Sequence, residues 1–152
     1  MKITFHFDWV KSGEAGPKSF KHKAAYEMFS DYTGRIHPFS PCAVAPMLSR
    51  ELPAKARPTV WACDRGTGSK MLSSEDLARR LTQMTASGVK HLVIVIGGPD
   101  GFADKDMMAL KPEVRWCFGP LTLPHELAAV VASEQIYRAW TIVKGLPYHQ
   151  GH

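Results

Sequence analysis

Apolar positions in this chain come in short blocks cut by glycine and proline. Residues 3–7 (ITFHF) alternate weakly and predict a first strand. Pro17 suits a first helical turn, predicting a helix over residues 17–32 closed by Gly34. Residues 38–58 carry five prolines, so they predict loop with at most a short helix around 47–52. TVWAC (59–63), β-branched and aromatic, reads as a second strand. In the stretch SSEDLARRLTQMTASG, Ser73 is a candidate N-cap with Asp76 three residues on. Leu77, Leu81 and Met84 make one apolar stripe there, and Gly88 is a stop. The unbroken run at 92–96 predicts a strand buried on both faces, followed by a glycine turn and a short helix near 104–110. A strand at 114–118 and the loop GPLTLP lead to a last helix over 124–144, with Glu126 at its positive end, Lys144 at its negative end, and Gly145 and Pro147 ending it. Leu127, Val130, Val131, Ile136, Trp140 and Val143 spread over more than one face of that helix. Such an arc predicts that one side covers the sheet and another meets a second subunit, through Ile136, Trp140 or their neighbours.

Strands alternating with helices make this an α/β chain with a mostly parallel sheet flanked by helices. In open sheets of that kind ligands sit beyond the carboxyl ends of the strands. Three segments leave predicted strand ends: CDRGTG (63–68), GGPDG (97–101) and GPLTLP (119–124). GGPDG is neither the dinucleotide motif GxGxxG, since Pro99 takes a position that wants glycine, nor the phosphate loop GxxxxGK[ST]. It is either a plain turn or a turn that binds through exposed backbone, without a triphosphate cradle.

Length and composition narrow the class. A chain of 152 residues with 45% apolar content suits one domain with a real core. No apolar run is long enough to span a bilayer, and MKITFHFDW lacks the apolar stretch and cleavage site of a secretion signal. Cys42, Cys63 and Cys117 lie far apart and are odd in number, which suits a reducing cytoplasm. With no CxxC pair and no close histidine pair, a structural metal is not expected. The net charge of +5 is compatible with nucleic acid or an acidic partner. Lys11, Lys18, Lys21 and Lys23 concentrate part of it, either as a binding patch or as a solvated helix face.

Three ordered motifs, IGGPDG, LTLPHEL and EQIYRAWTIVKGLPYH, with CDRGTGSKMLSSEDLA before them, resemble the RlmH family of the SPOUT superfamily. The likeness runs from about residue 59 to 149; the first 55 residues share only its layout of strand, helix and loop. The resemblance implies a single SPOUT methyltransferase domain over 1–152, an α/β knot with a deep C-terminal trefoil. Periodicity shows no knot, and chains rarely knot. It further implies S-adenosylmethionine as methyl donor, N3 of a pseudouridine in the 23S RNA of the ribosome as acceptor, and a cytoplasmic homodimer with its active site at the interface, needing neither membrane nor metal. By the same likeness Gly98 lies against the methionine or ribose part of the cofactor, and Cys63 with Gly119, Pro120, Leu121, Thr122, Leu123 and Pro124 encloses the adenine.

Transfer to an imide nitrogen requires its proton to be lost, in-line approach to a sulfonium methyl, and stabilisation of charge developing on the flanking carbonyls. His149 in LPYH is the candidate proton acceptor or donor to a base carbonyl, against the alternative of a loose terminal residue. Tyr148 either stacks on or bonds to the base, or clasps the tail; Arg138 either holds phosphate or a carbonyl edge, or forms a salt bridge. Tyr137 and Trp140 read as core or dimer contacts, and His125 as a helix-start residue. Gln150 stands where the family tail carries a basic residue, removing one phosphate contact. Two other readings remain: an RNA methyltransferase of the same fold with a different nucleotide target, and a non-catalytic dimer that binds RNA or ribosomes.

Overall fold

A computed structural model of the chain describes residues 1–10, 16–46 and 58–150. Strands β1 (Lys2–Phe7), β2 (Cys42–Pro46), β3 (Thr59–Cys63), β4 (Lys70–Met71), β5 (His91–Ile96) and β6 (Val114–Cys117) form one sheet in the order β2-β1-β5-β3-β6-β4, every pair parallel. Helices α1 (Lys23–Ile36), α2 (Ser74–Ala86), α3 (Asp104–Leu110) and α4 (His125–Val143) connect and cover it. The continuous apolar run lands where it must: Leu92 to Ile96 of β5 are at most 1% exposed, between β1 and β3. A strand flanked by strands and covered on both faces tolerates no polar alternation.

Local chemistry sets the ends of α2. Ser73 Oγ accepts the Asp76 N–H and Asp76 accepts the Ser73 N–H, both at 3.0 Å, a capping box that satisfies two donors reciprocally. Gly88 follows the helix at φ +84°, as the stop signal predicts.

Three expectations change. The proline-rich segment holds a strand, β2, because an edge strand needs hydrogen bonds on one side only and Pro46 ends it. The short helix expected at 47–52 lies outside the described residues. Pro17 opens only a single 3-10 turn, Pro17–Ser19, and α1 starts later, at Lys23. Phe20 is the reason: it is drawn into an aromatic cluster with Phe7, Trp9, Tyr26 and Phe29, and the chain breaks helical geometry to reach it. At its other end α1 runs through Gly34, because burying Ile36 outweighs the roughly 1 kcal/mol that an interior glycine costs. Finally, Ile136 and Trp140, expected at a subunit interface, lie in the chain's own core, while Leu127 of the same arc stays exposed. The helix packs between α1 and α2, burying Ile136 completely and leaving Trp140 5% exposed against Phe39.

Candidate active site

The adjacent strands β5, β3 and β6 end at one edge of the sheet, and their loops surround a cavity of about 330 Å³. Of the residues expected around a cofactor, Cys63, Gly98, Leu121, Thr122 and Leu123 line it. Gly119, Pro120 and Pro124 do not. Gly119 borders a neighbouring hollow between β6, α2 and α4, Pro120 turns its carbonyl to Arg65, and Pro124 serves as the N-cap of α4. Asp64, Gly97 and Asp100, from the loops expected at the cleft, also line it, as do Phe102 and His125, which had not been read as ligand contacts. His125 does start α4, as its context suggested; its ring also packs edge-on against Trp9 at 4.6 Å.

Each loop is held by contacts that its sequence explains. The Gly101 N–H donates to Gly98 O at 2.9 Å, closing a turn with Pro99 at the favoured second position and Gly101 at φ +71°. The closest approach falls on Gly97, where a Cβ would stand 3.3 Å from the Phe102 ring and 3.4 Å from Gly101 Cα. At Gly98 a Cβ would meet Trp9 at an ordinary 3.7 Å. In the β3 loop, Arg115 Nε donates to Asp64 at 2.8 Å and its guanidinium also reaches the Thr67 carbonyl. A Cβ on Gly66 would meet that guanidinium, which would have to shift to admit it. Arg65 then crosses to the last loop, donating to Pro120 O at 2.7 Å and to the Thr122 hydroxyl. Burial, reinforced by Asp64, pushes the Cys63 thiol well up, so it stays protonated and lines the wall as a small apolar group.

The expected catalytic trio assembles elsewhere in the chain. The tail ends in a 3-10 turn, Pro147–His149, folded back on α4. Glu134 accepts Arg138 Nε at 2.9 Å, Arg138 Nη2 at 2.6 Å and the Tyr148 hydroxyl at 3.0 Å. The Arg138 guanidinium carbon stands 4.9 Å from the Tyr148 ring centre, and Nη1 lies 3.2 Å from His149 Nδ1. His149 Nε2 is 2.8 Å from Glu75, on the first turn of α2. Burial, then hydrogen bonds with Tyr32 and Glu134, raises the Tyr148 phenol, so it remains a donor. Glu134 raises Arg138 further, and the bond to His149 holds Glu75 below the usual carboxylate range. Neither Glu75 nor Glu134 had been read as functional. The spacing of Glu134 and Arg138 was a visible i,i+4 pair, while nothing local links Glu75 to a residue 74 positions on. Lys18, Lys21 and Lys23 are exposed and Lys23 pairs weakly with Glu27; Lys11 lies outside the described residues.

The chain matches the family described as predicted SPOUT methyltransferase over residues 18–149. It belongs to the SPOUT methyltransferase family. Within this SPOUT group its relatives include Ribosomal RNA large subunit methyltransferase H of Magnetococcus marinus, 31% identical over 144 residues that cover 81% of this chain and 88% of that one. Its namesake in Rubrobacter xylanophilus is 47% identical over 102 residues, covering 67% of this chain and 62% of that protein. In Acidithiobacillus ferrooxidans the match spans about half of the relative, 48%. Among solved structures, TrmJ from Z. mobilis ZM4 superposes with a TM-score of 0.52 at 14% identity, covering 93% of this chain and 70% of that chain, a likeness of fold alone. The parallel sheet with flanking helices is thus the SPOUT architecture that the motifs implied.

Proposed function

We propose that this chain transfers a methyl group from S-adenosylmethionine to N3 of a pseudouridine in 23S ribosomal RNA. It does so as a cytoplasmic homodimer whose two sites each combine the cavity of one subunit with the tail cluster of the other. One observation carries the composite site: among the described residues the cavity wall contains none of Arg138, Tyr148 and His149. A chain that needs both sets of groups at one reaction centre must bring the second set from another copy. The trefoil knot belongs to the same reading, supported by the match to the SPOUT methyltransferase family.

The cavity suits the donor. Its volume falls within the usual range for small-molecule sites, its floor is apolar (Ile96, Phe102, Leu123), and glycine backbone with the carboxylates of Asp64 and Asp100 supplies the polar contacts a nucleoside with an amino-acid tail requires. When bound, the cofactor supplies an electrophilic methyl on a sulfonium. This chain's own residues do the rest. The loops fix the ligand's orientation and keep water away from it. Arg138 donates to the carbonyl oxygen beside N3, where negative charge gathers as the imide proton leaves to solvent, and Tyr148 offers its ring to the extruded base.

Mass spectrometry of 23S RNA from a strain lacking the gene tests this. Loss of one N3-methylated pseudouridine, regained when the gene is restored, is the expected result. An unchanged methylation pattern contradicts the reading, and loss of a methyl from another nucleotide replaces the target while keeping the chemistry.

A further inference from the structure

His149 touches two groups whose chemistry leaves little freedom. Arg138 has donors only, so the 3.2 Å contact between its Nη1 and His149 Nδ1 requires a lone pair on Nδ1. The other ring nitrogen then carries the hydrogen and donates to Glu75 at 2.8 Å. In that arrangement Nδ1 accepts from Arg138 and Nε2–H donates to Glu75, so both ring nitrogens are engaged. The charged and titratable groups that face it are Glu75 from α2, Arg138 and Glu134 from α4, and Tyr148 on its own turn, itself packed against Tyr137 at 4.7 Å between ring centres. A proton on Nδ1 would face the guanidinium and break the contact.

The guanidinium shows the consequence. Of its five N–H groups, Nε–H and one on Nη2 go to Glu134 and one on Nη1 goes to His149. Two remain. We propose that Glu75 and Glu134 are positioning residues for methyl transfer, that Glu75 sets the His149 tautomer, and that His149 acts by aiming Arg138 at the substrate. The imide proton passes to solvent and not to His149, and N3 then takes the methyl as the sulfur–methyl bond breaks. The inference rests on the proposed methyl-transfer reading and adds roles for Glu75, Glu134 and His149 to it. The carboxylate on α2 matters because it lies outside the tail and α4, so it ties the turn carrying His149 to a second helix.

The test uses full-length protein, ribosomes lacking the modification and labelled S-adenosylmethionine. Glu75→Ala should lower kcat about tenfold, the scale expected when a catalytic group drifts by part of an ångström. The KM for S-adenosylmethionine should not change, because Glu75 does not line the cavity. Glu75→Gln keeps an oxygen that accepts from Nε2–H and should restore most of the rate. His149→Asn places an amide oxygen near the position of Nδ1 and should recover at least about tenfold over His149→Ala, an outcome a general base does not allow. Undiminished kcat in Glu75→Ala, or equally inactive Asn and Ala variants at 149, overturns the proposal. Long-range nitrogen–proton NMR of the wild-type protein gives a reading independent of any variant's folding: the Nε2–H pattern supports it, and the Nδ1–H or doubly protonated pattern at pH 8 overturns it. If Arg138→Ala and His149→Ala both retain full activity while the cofactor still binds, the methyl-transfer role of the tail itself fails.

Discussion

Glu126 on the first turn of α4 accepts the backbone N–H of His22, the N-cap of α1, at 2.9 Å, and that of Lys21 at 3.1 Å. His22 makes no side-chain cap, so a carboxylate from a helix 104 positions away does for α1 what a capping box does within one helix. Burial raises the Glu126 carboxyl, but the two amides outweigh it and hold it below the usual range. Stability drawn from a depressed carboxylate is complete above the unfolded pKa and is lost as pH falls through the folded one. Glu126→Ala, which strands two amides, should cost about 2 kcal/mol and lower the melting temperature by about 5 °C at pH 7. Glu126→Gln should lose less at pH 7 and show a flatter stability profile below pH 5. Thermal melts followed by circular dichroism between pH 3 and 7 check both; coincident profiles for wild type and Glu126→Gln contradict the assignment.

Within the glycine turn the spatial demand falls on Gly97. A side chain there presses into Phe102 and Gly101, whereas one at Gly98 starts at a comfortable distance from Trp9. Gly97→Val should spring the turn that walls the cavity and reduce S-adenosylhomocysteine affinity by at least about a hundredfold, while Gly98→Ala should stay within about fivefold of wild type. Isothermal calorimetry measures both, with melting curves to confirm that each variant is folded. The reverse order of effects would move the critical contact to Gly98.

Arg65 joins the β3 loop to the 119–124 loop across the mouth of the cavity. Its side chain is exposed, so the pair of hydrogen bonds is screened and worth about 1 kcal/mol to the loop's position. Arg65→Ala should therefore weaken S-adenosylhomocysteine binding by about fivefold with little change in melting temperature. Arg65→Lys should not restore it, since one ammonium does not match two acceptors set as a fork meets them. Unaltered affinity in Arg65→Ala would show that the loop holds itself.

Much of this architecture was readable residue by residue. The buried run of β5, the Ser73–Asp76 box and the start of α4 depend on neighbours within a few positions, and each lies where its pattern predicts. Three loops at strand ends likewise foretold a cavity at one edge of the sheet. What was hidden depends on distant partners. Proline marked 38–58 as loop because local propensity cannot see that Cys42–Pro46 gains a ladder along β1. Gly66 lies against Arg115, and the tail is anchored by Glu75; neither partner is near in sequence. Trp140 and Ile136 looked like interface residues because the arc of a helix does not reveal how many helices of its own chain it meets.

The separation between the cavity and the Arg138–Tyr148–His149 cluster is the central claim, and complementation tests it most directly. Gly97→Val lacks a cavity but keeps the tail, and His149→Ala keeps the cavity but lacks the tail's anchor to Arg138. Each homodimer should be nearly inactive in methyl transfer to ribosomes. Differently tagged copies, co-expressed and purified through both tags, form heterodimers in which one site joins an intact cavity to an intact cluster from the other chain. That heterodimer should recover about half the wild-type rate per dimer, as one working site of two requires. If it stays as inactive as either parent, the tail serves its own subunit's cavity or does no chemistry, and the composite site is wrong.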